Sequence, residues 1–521
     1  MAQQLIPIPL GFVKKFPNLT QKKQQKHFEQ YLSVVFSHLA KRLPFMNDQF
    51  TYLALKKIHD ECGEFQYQNE RYYIYKEFKD ICPLYAVIDT GSNLKYTKNL
   101  FQKNSRVKIM NYKYIDLLID NGNAQELVAL FYGDIDDKVE LKTVNVDMLS
   151  LNNFINHCDN ELRVGSVNEK YYNQIRKNRY QAKYIKIISE FFHDAYGKYC
   201  FPMIPHKSDY GRTYYKGINI MNMKEEVRRA VIGNYHQYDL DAAVYAIKVM
   251  LAKNVLAEND ESHFGKFTYT KEYLDRKSNL RKELARECLV KTPVPFKEKI
   301  KYIKEAITAI GFGARIGAGS WQTTDNEWKN PALNDIIMNK EDRERFINHS
   351  FVKNFVKEQQ DMLKLIVDHY LKDDEFVNKL IPIKNMFNNN GRVRKAQVMA
   401  YLFQHTESYI MNQVASLAGQ EVFLIHDALI TNKPITNSCL LDMKYLLKEL
   451  DDELTIDHEF KKGWDPTEYE EDDDPRDAYV RQMYKESKDN FAYSVPGNYQ
   501  SYKSTTQYEQ LEEEDYFEYD V

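Results

Sequence analysis

The 521-residue sequence predicts an α+β protein, and three observations carry that prediction. Val422-Phe423-Leu424-Ile425 and Ala428-Leu429-Ile430-Thr431 are apolar runs interrupted only by His426-Asp427, the pattern of two buried strands joined by a tight hairpin turn. Gln237-Tyr238-Asp239-Leu240-Asp241 ends another short strand, and Ala242 to Leu251 continues as an apolar helix. The long stretch between them, 256–385, is mostly helical in pattern.

Taken in order, residues 1–160 alternate helix-like and strand-like patterns without a catalytic motif, and read as an N-terminal accessory domain. Asp159-Asn160-Glu161 has no apolar strand leading into it, so it is not read as a proofreading exonuclease motif. Residues 161–205 form a helical segment whose stretch 168–197 is basic and aromatic (Tyr171, Tyr172, Arg176, Lys177, Arg179, Tyr180, Lys183). Such a helix either tracks a phosphate backbone or is an ordinary amphipathic helix, and both readings stay open. Pro202 and Pro205 mark a boundary, after which 206–255 carries the first carboxylate strand and 386–463 carries the hairpin. From 464 to 521 the composition turns acidic, Tyr-rich and poor in aliphatics, which predicts disorder.

A chain of this length can hold several domains and a large core. No run of about 18 apolar residues occurs, so a soluble protein with no membrane partner is expected. Six scattered cysteines without a C-x-x-C pair argue against a zinc site or disulfide scaffold and fit a reducing, cytoplasmic setting. The net charge of −3 hides an asymmetry. Residues 465–521 carry 17 acidic and 5 basic side chains, about −12, which leaves the remaining body at about +9. A basic body suits nucleic acid, and the tail is either a competitor for that surface or a solvated appendage.

The chemistry centres on two carboxylates. Asp427 at a hairpin tip inside a sheet costs several kcal/mol in desolvation unless a positive group sits against it. A divalent cation is the usual answer, and a second carboxylate would allow two metals to clamp a phosphoryl transfer. Asp239 supplies that second carboxylate, with the Leu240 carbonyl beside it. Asp241 falls where a helix N-cap belongs and is assigned that local role. Between the two carboxylates, residues 296–312 read as a helix on which Lys297, Lys301, Lys304, Thr308 and Phe312 are spaced 4, 3, 4 and 4 apart, on one face. Three cations ending in an aromatic ring suit a nucleoside triphosphate, and Gly313 admits close approach of a template base. The alternative is a solvated lysine face.

These pieces, in this order, resemble the family A nucleic-acid polymerases, which include bacterial and phage DNA polymerases and single-subunit RNA polymerases. The resemblance covers about 206–432. Asp239 and Asp427, the latter after His426, match the two metal-binding aspartates. Lys304 and Phe312-Gly313 reproduce the spacing of a lysine eight residues before an aromatic-glycine pair. Gly211-Arg212 with Asn219 and Asn222 matches elements near primer and template, and Gln404 falls where DNA-synthesising members carry a minor-groove glutamine. The resemblance implies a right-hand polymerase: an antiparallel palm sheet from 206–255 and 386–463, mainly helical fingers over 256–385, and a small thumb in 161–205. It also implies two Mg²⁺ ions, with Mn²⁺ as a substitute, held by Asp239, Leu240 and Asp427. Lys304 would join the two aspartates in catalysis, nucleoside triphosphates would be substrates, and DNA the template, in a bacterial or phage-infected cell.

Departures from the pattern bear on the product. Val244 stands where DNA-synthesising members carry a glutamate that blocks a ribose 2′ hydroxyl. Thr308 stands where they carry an aromatic residue, and Ala428 follows His-Asp where they have Glu. These three favour RNA synthesis, by a DNA-directed RNA polymerase or primase, whereas Gln404 favours a family A DNA polymerase. Ile300 replaces the family arginine four residues before the lysine, with Lys297 or Lys301 on the same face as substitutes. A His-Asp phosphohydrolase is set aside because that class carries the pair on helices. A degenerate palm that only binds nucleic acid is the remaining alternative.

Overall fold

The computed structural model describes residues 7–46, 49–87, 105–133, 135, 142–164, 169–259, 262, 265–314, 316, 321–322, 328–329, 332–383, 386–387 and 391–466. The chain divides into two compact units. The first comprises Met1–His206, Tyr215–Tyr235 and Lys461–Pro466; the second is built chiefly from Lys207–Tyr214 and His236–Phe460. Both mix helices with small antiparallel sheets, as the α+β reading expects. No helix among the described residues is long and apolar enough to cross a membrane.

In the first unit, β1 (Phe50–Leu53), β2 (Tyr85–Val87) and β3 (Ser105–Ile109) form an antiparallel sheet in the order β1-β3-β2. Strict alternation along β1 and β3 buries Thr51, Leu53, Val107 and Ile109 and turns Phe50, Tyr52, Arg106 and Lys108 outward. Helices α1 (Tyr112–Asp120), α2 (Met148–Val164) and α3 (Glu169–Tyr196) follow. α3, expected in a thumb-like segment, packs inside this unit: Tyr180, Tyr184, Ile185 and Ile188 are fully buried. Its two arginines do not face outward as a phosphate track. Arg176 pairs with Asp116 at 2.9 Å, and Arg179 pairs with Asp159 and with Asp120 at 3.2 Å. Helix α4 (Glu225–Ile232) completes the unit, and Trp464 is buried with its ring 5.1 Å from Phe154. The expected boundary at 464 therefore moves outward, and the disorder expected beyond it lies, from 467 on, outside the described residues.

The second unit holds a four-stranded sheet in the order β5-β6-β4-β7, from β4 (Tyr235–Leu240), β5 (Phe423–Ile425), β6 (Ala428–Thr431) and β7 (Ile456–Lys461). Helix α5 (Ala243–Glu258) leaves β4 and is buried on all sides over Tyr245–Ala252, while Asn254, Ala257 and Glu258 near its C-terminal end are exposed. It separates two cores. One collects Tyr238, Leu240, Ile247, Leu251, Met399 and Leu429 around the sheet, and the other collects Tyr245, Leu284, Ile303, Ile307 and Phe355 among helices. The helices are α6 (Thr268–Cys288), α7 (Phe296–Gly311), α8 (Ser350–Tyr370), α9 (Lys395–Ser416) and α10 (Asn437–Leu450). α7 is amphipathic: Ile303, Ala306, Ile307 and Ile310 are buried, while Lys297, Lys301 and Lys304 are exposed.

Candidate active site

The sheet register sets the backbones of the two predicted aspartates beside each other. β4 pairs with β6 so that Asp239 lies opposite Ala428, and the Leu240 amide donates to the Asp427 carbonyl at 2.9 Å. Both aspartates are half-buried. The Gln237 amide donates to both Asp239 carboxylate oxygens at 2.9 Å, which orients that group. Left-handed backbone directly precedes Asp427 at His426, φ 51°, and recurs three residues after Asp239 at Ala242, φ 45°. Such residues cost about 1–3 kcal/mol each and persist where the surroundings hold them in place.

Asp241 does not cap α5. The cap position is Ala242, in the left-handed region and without a side-chain acceptor. A capping carboxylate must sit on extended backbone directly before the first turn. The Asp241 carboxylate instead pairs with Lys277 on α6, and its amide donates to the Thr455 carbonyl at 2.9 Å. Lys277 also lies 3.8 Å from Asp457. Burial lowers the Lys277 pKa, Asp457 opposes that shift, and the nearby charges of Arg281 and Lys304 add to it. Lys277 thus sits between the Asp241 strand end and the lysine face of α7. Sequence reading missed it; the only available signal was its i,i+4 spacing to Arg281.

A third carboxylate was also missed. Glu407 on α9 is 1% exposed, and the Nε and Nη2 of Arg212 both lie 2.6 Å from its Oε2. Burial pushes its carboxyl up to about 7 against the pull of Arg212; Asp427 raises it further and His426 lowers it. Glu407 is therefore within electrostatic reach of the hairpin turn. The Tyr214 ring stands edge-on to His426 at 6.4 Å. Gly211 has φ +84°, and a Cβ there would stand 2.7 Å from the His405 Nδ1, so the Gly-Arg pair fits only as glycine against α9.

Several residues expected at primer and template make contacts within the fold. The Arg212 charge is engaged by Glu407 within the fold. Asn219, fully buried in the first unit, accepts from the Met221 and Asn222 amides and donates to the Tyr215 and Gly217 carbonyls. Asn222 accepts from the Asn219 amide and donates to Gly217. Short polar side chains of this kind close turns by bonding nearby backbone, so the two asparagines brace a loop. Gln404 is half-buried on α9.

The residues expected on the nucleotide side lie along α7 and at its C-terminal end. Among the described residues, exposed Lys301 and Lys304 pair with no carboxylate. Lys297 is exposed one turn earlier. The Thr308 hydroxyl donates back to the Lys304 carbonyl at 2.8 Å, which commits its proton to the helix. Phe312 caps the helix C-terminus, with its ring edge-on to Phe403 at 5.6 Å. Gly313 follows at φ +79°, a conformation that suits glycine. Val244, Phe312, Phe403, Met399 and Ala400 line one small apolar pocket, floored by Lys248 and Gly311. Lys248 is 1% exposed; its Nζ donates to the Gly311 carbonyl at 3.0 Å and to the Gln359 Oε1 at 2.7 Å. Burial brings its pKa down to about 7.

Among the described residues no set of three or more His, Cys, Asp or Glu side chains converges as a metal cage. Asp239, Asp427 and the Leu240 backbone offer two carboxylates and a carbonyl, an all-oxygen set. Mg²⁺ is commonly held by one or two carboxylates, with water and substrate phosphates completing its shell, so this set fits it. No protein-family model matches this chain, and no curated protein matches it by sequence.

Proposed function

We propose that this chain is a template-directed nucleotidyltransferase that joins nucleoside triphosphates to a 3′ end, acting as a DNA-directed RNA polymerase or primase. The observation that carries the reading is the β4–β6 register, with Asp239 opposite Ala428 and Leu240 bonded to Asp427. Asp239, Asp427 and the Leu240 carbonyl would hold two Mg²⁺ or Mn²⁺ ions. The chemistry such a pair supplies when bound is activation of a 3′ hydroxyl and neutralisation of the departing pyrophosphate. Gln237 holds the Asp239 carboxylate in place. Lys297, Lys301 and Lys304 receive the triphosphate, and the Lys304 charge is felt at Lys277. Phe312 takes the base or sugar. Val244, in the same pocket, leaves room for a ribose 2′ hydroxyl that a carboxylate would exclude.

The test is extension of a labelled primer on DNA and RNA templates with ribo- and deoxyribonucleotides, beside a reaction without primer. The expected result is Mg²⁺-dependent ribonucleotide incorporation on DNA, with Val244→Glu shifting preference toward deoxynucleotides. Rejection of ribonucleotides by more than about a thousandfold, or about 4 kcal/mol, assigns the product as DNA. No incorporation on any template removes the enzymatic reading and leaves a nucleic-acid-binding protein.

A further inference from the structure

We infer that the outward face of the sheet β1-β3-β2 in the first unit binds single-stranded nucleic acid. Alternation sets Phe50 and Tyr52 of β1 and Arg106 and Lys108 of β3 on that face. The register pairs Tyr52 with Arg106 and Phe50 with Lys108, so each aromatic ring stands opposite a cation. No acidic residue occurs in β1, β2 or β3. Tyr52 is 47% exposed.

The two cations on this face differ from those of the same unit that acids hold in place. The Arg106 guanidinium lies 4.5 Å from the Phe50 ring centroid. Among the described residues neither Arg106 nor Lys108 pairs with a carboxylate. Arg176, Arg179, Lys183, Arg71 and Lys15 of the same unit are all acid-paired. A cation stacked on an aromatic ring keeps its charge available for phosphate, and the ring keeps a π face for a base.

The geometry favours a single strand over a duplex. Phe50 and Tyr52 are two residues apart on a strand, about 6.8 Å. That is twice the roughly 3.4 Å rise of stacked bases, the separation reached when one layer is opened between neighbours. A duplex keeps its base faces covered and offers only phosphates, so it would engage the cations and leave both rings unused. The inference is independent of the catalytic reading, because oligonucleotide binding here requires neither turnover nor a triphosphate.

The experiment uses the full chain and a short fluorescent oligothymidylate, titrated across a salt series beside a duplex of equal length. Tyr52→Ala should weaken single-strand binding by about fivefold to a hundredfold, the range for loss of one stacking ring, and leave duplex binding roughly unchanged. Tyr52→Phe should retain the affinity, which separates loss of stacking from loss of fold. The double variant Arg106→Ala/Lys108→Ala should lower the slope of log affinity against log salt by about 1.4, at about 0.7 per phosphate contact. Photocrosslinking with a bromouracil oligonucleotide should label the tryptic peptide that holds Tyr52. Unchanged affinity and slope in all variants, equal losses for duplex, a Phe variant as weak as the Ala variant, or adducts only on other peptides would each overturn the inference.

Discussion

Helix α3 in the first unit and helix α7 in the second both read as basic, aromatic-tipped helices, yet their cations meet different ends. On α3, Arg176 and Arg179 turn inward against Asp116, Asp120 and Asp159, and their charge is cancelled within the unit. On α7, Lys301 and Lys304 stay exposed with no acid partner among the described residues. Lys248 shows a third outcome: it is buried, yet its recorded acceptors are a carbonyl and an amide, so it carries its desolvation cost without a counter-charge. What separates the three is the chemistry of segments far away in sequence. A buried cation paired to acid cannot be removed without leaving that acid uncompensated, whereas an exposed one remains available for a ligand.

The comparison can be broken in four ways. The largest effect concerns the centre that the α7 lysines are proposed to serve. Asp427→Ala should lower incorporation at least about a thousandfold, about 4 kcal/mol, while DNA affinity is largely kept. A folded Asp427→Ala protein with full turnover would remove Asp427 from catalysis.

Lys248 comes next. Its folded pKa is lowered to about 7 from 10.5. Between those values the unfolded chain binds a proton that the folded chain does not, so the stability contribution of this group grows as pH rises. The gain approaches about 1.4 kcal/mol per pH unit well above pH 7, and comes to about 2.3 kcal/mol from pH 7 to 9. Urea unfolding of wild type and Lys248→Met at several pH values should show the difference, and parallel curves would contradict it.

Arg179→Ala should cost about 2 kcal/mol of stability. That is less than the 3–5 kcal/mol of a fully buried pair, because the abandoned carboxylates keep partial access to water. Specific activity of the folded fraction should be unchanged. Lys304→Ala reverses the pattern: stability within about 0.5 kcal/mol of wild type, and a KM for nucleoside triphosphate raised about tenfold, or about 1.4 kcal/mol. A parent-like KM would make the lysine face a merely solvated one.

The parts legible in the sequence were those set by local periodicity. The hairpin at His426-Asp427 and the strand ending near Asp239 followed from apolar runs of strand length, and α7 followed from the 4, 3, 4 and 4 spacing of its polar face. Asp241 was misassigned because the left-handed turn at Ala242 is a backbone conformation that an alanine does not advertise. Glu407 was missed because its partner Arg212 lies 195 residues away and a lone glutamate on a helix looks solvent-facing. The inward turn of Arg176 and Arg179 depended on aspartates in α1 and α2, and periodicity within one helix cannot register them.

Trp464 sets a clock on folding. It seats its ring against Phe154 and His157 in the first unit, its amide bonds the Arg229 carbonyl, and Arg229 in turn holds the Lys462 and Gly463 carbonyls. Phe154 therefore waits about 310 residues of synthesis for its partner. At roughly 5–20 residues per second that is roughly 15 to 60 s on the ribosome. During that interval Phe154 and His157 lack the indole that covers them in the finished fold.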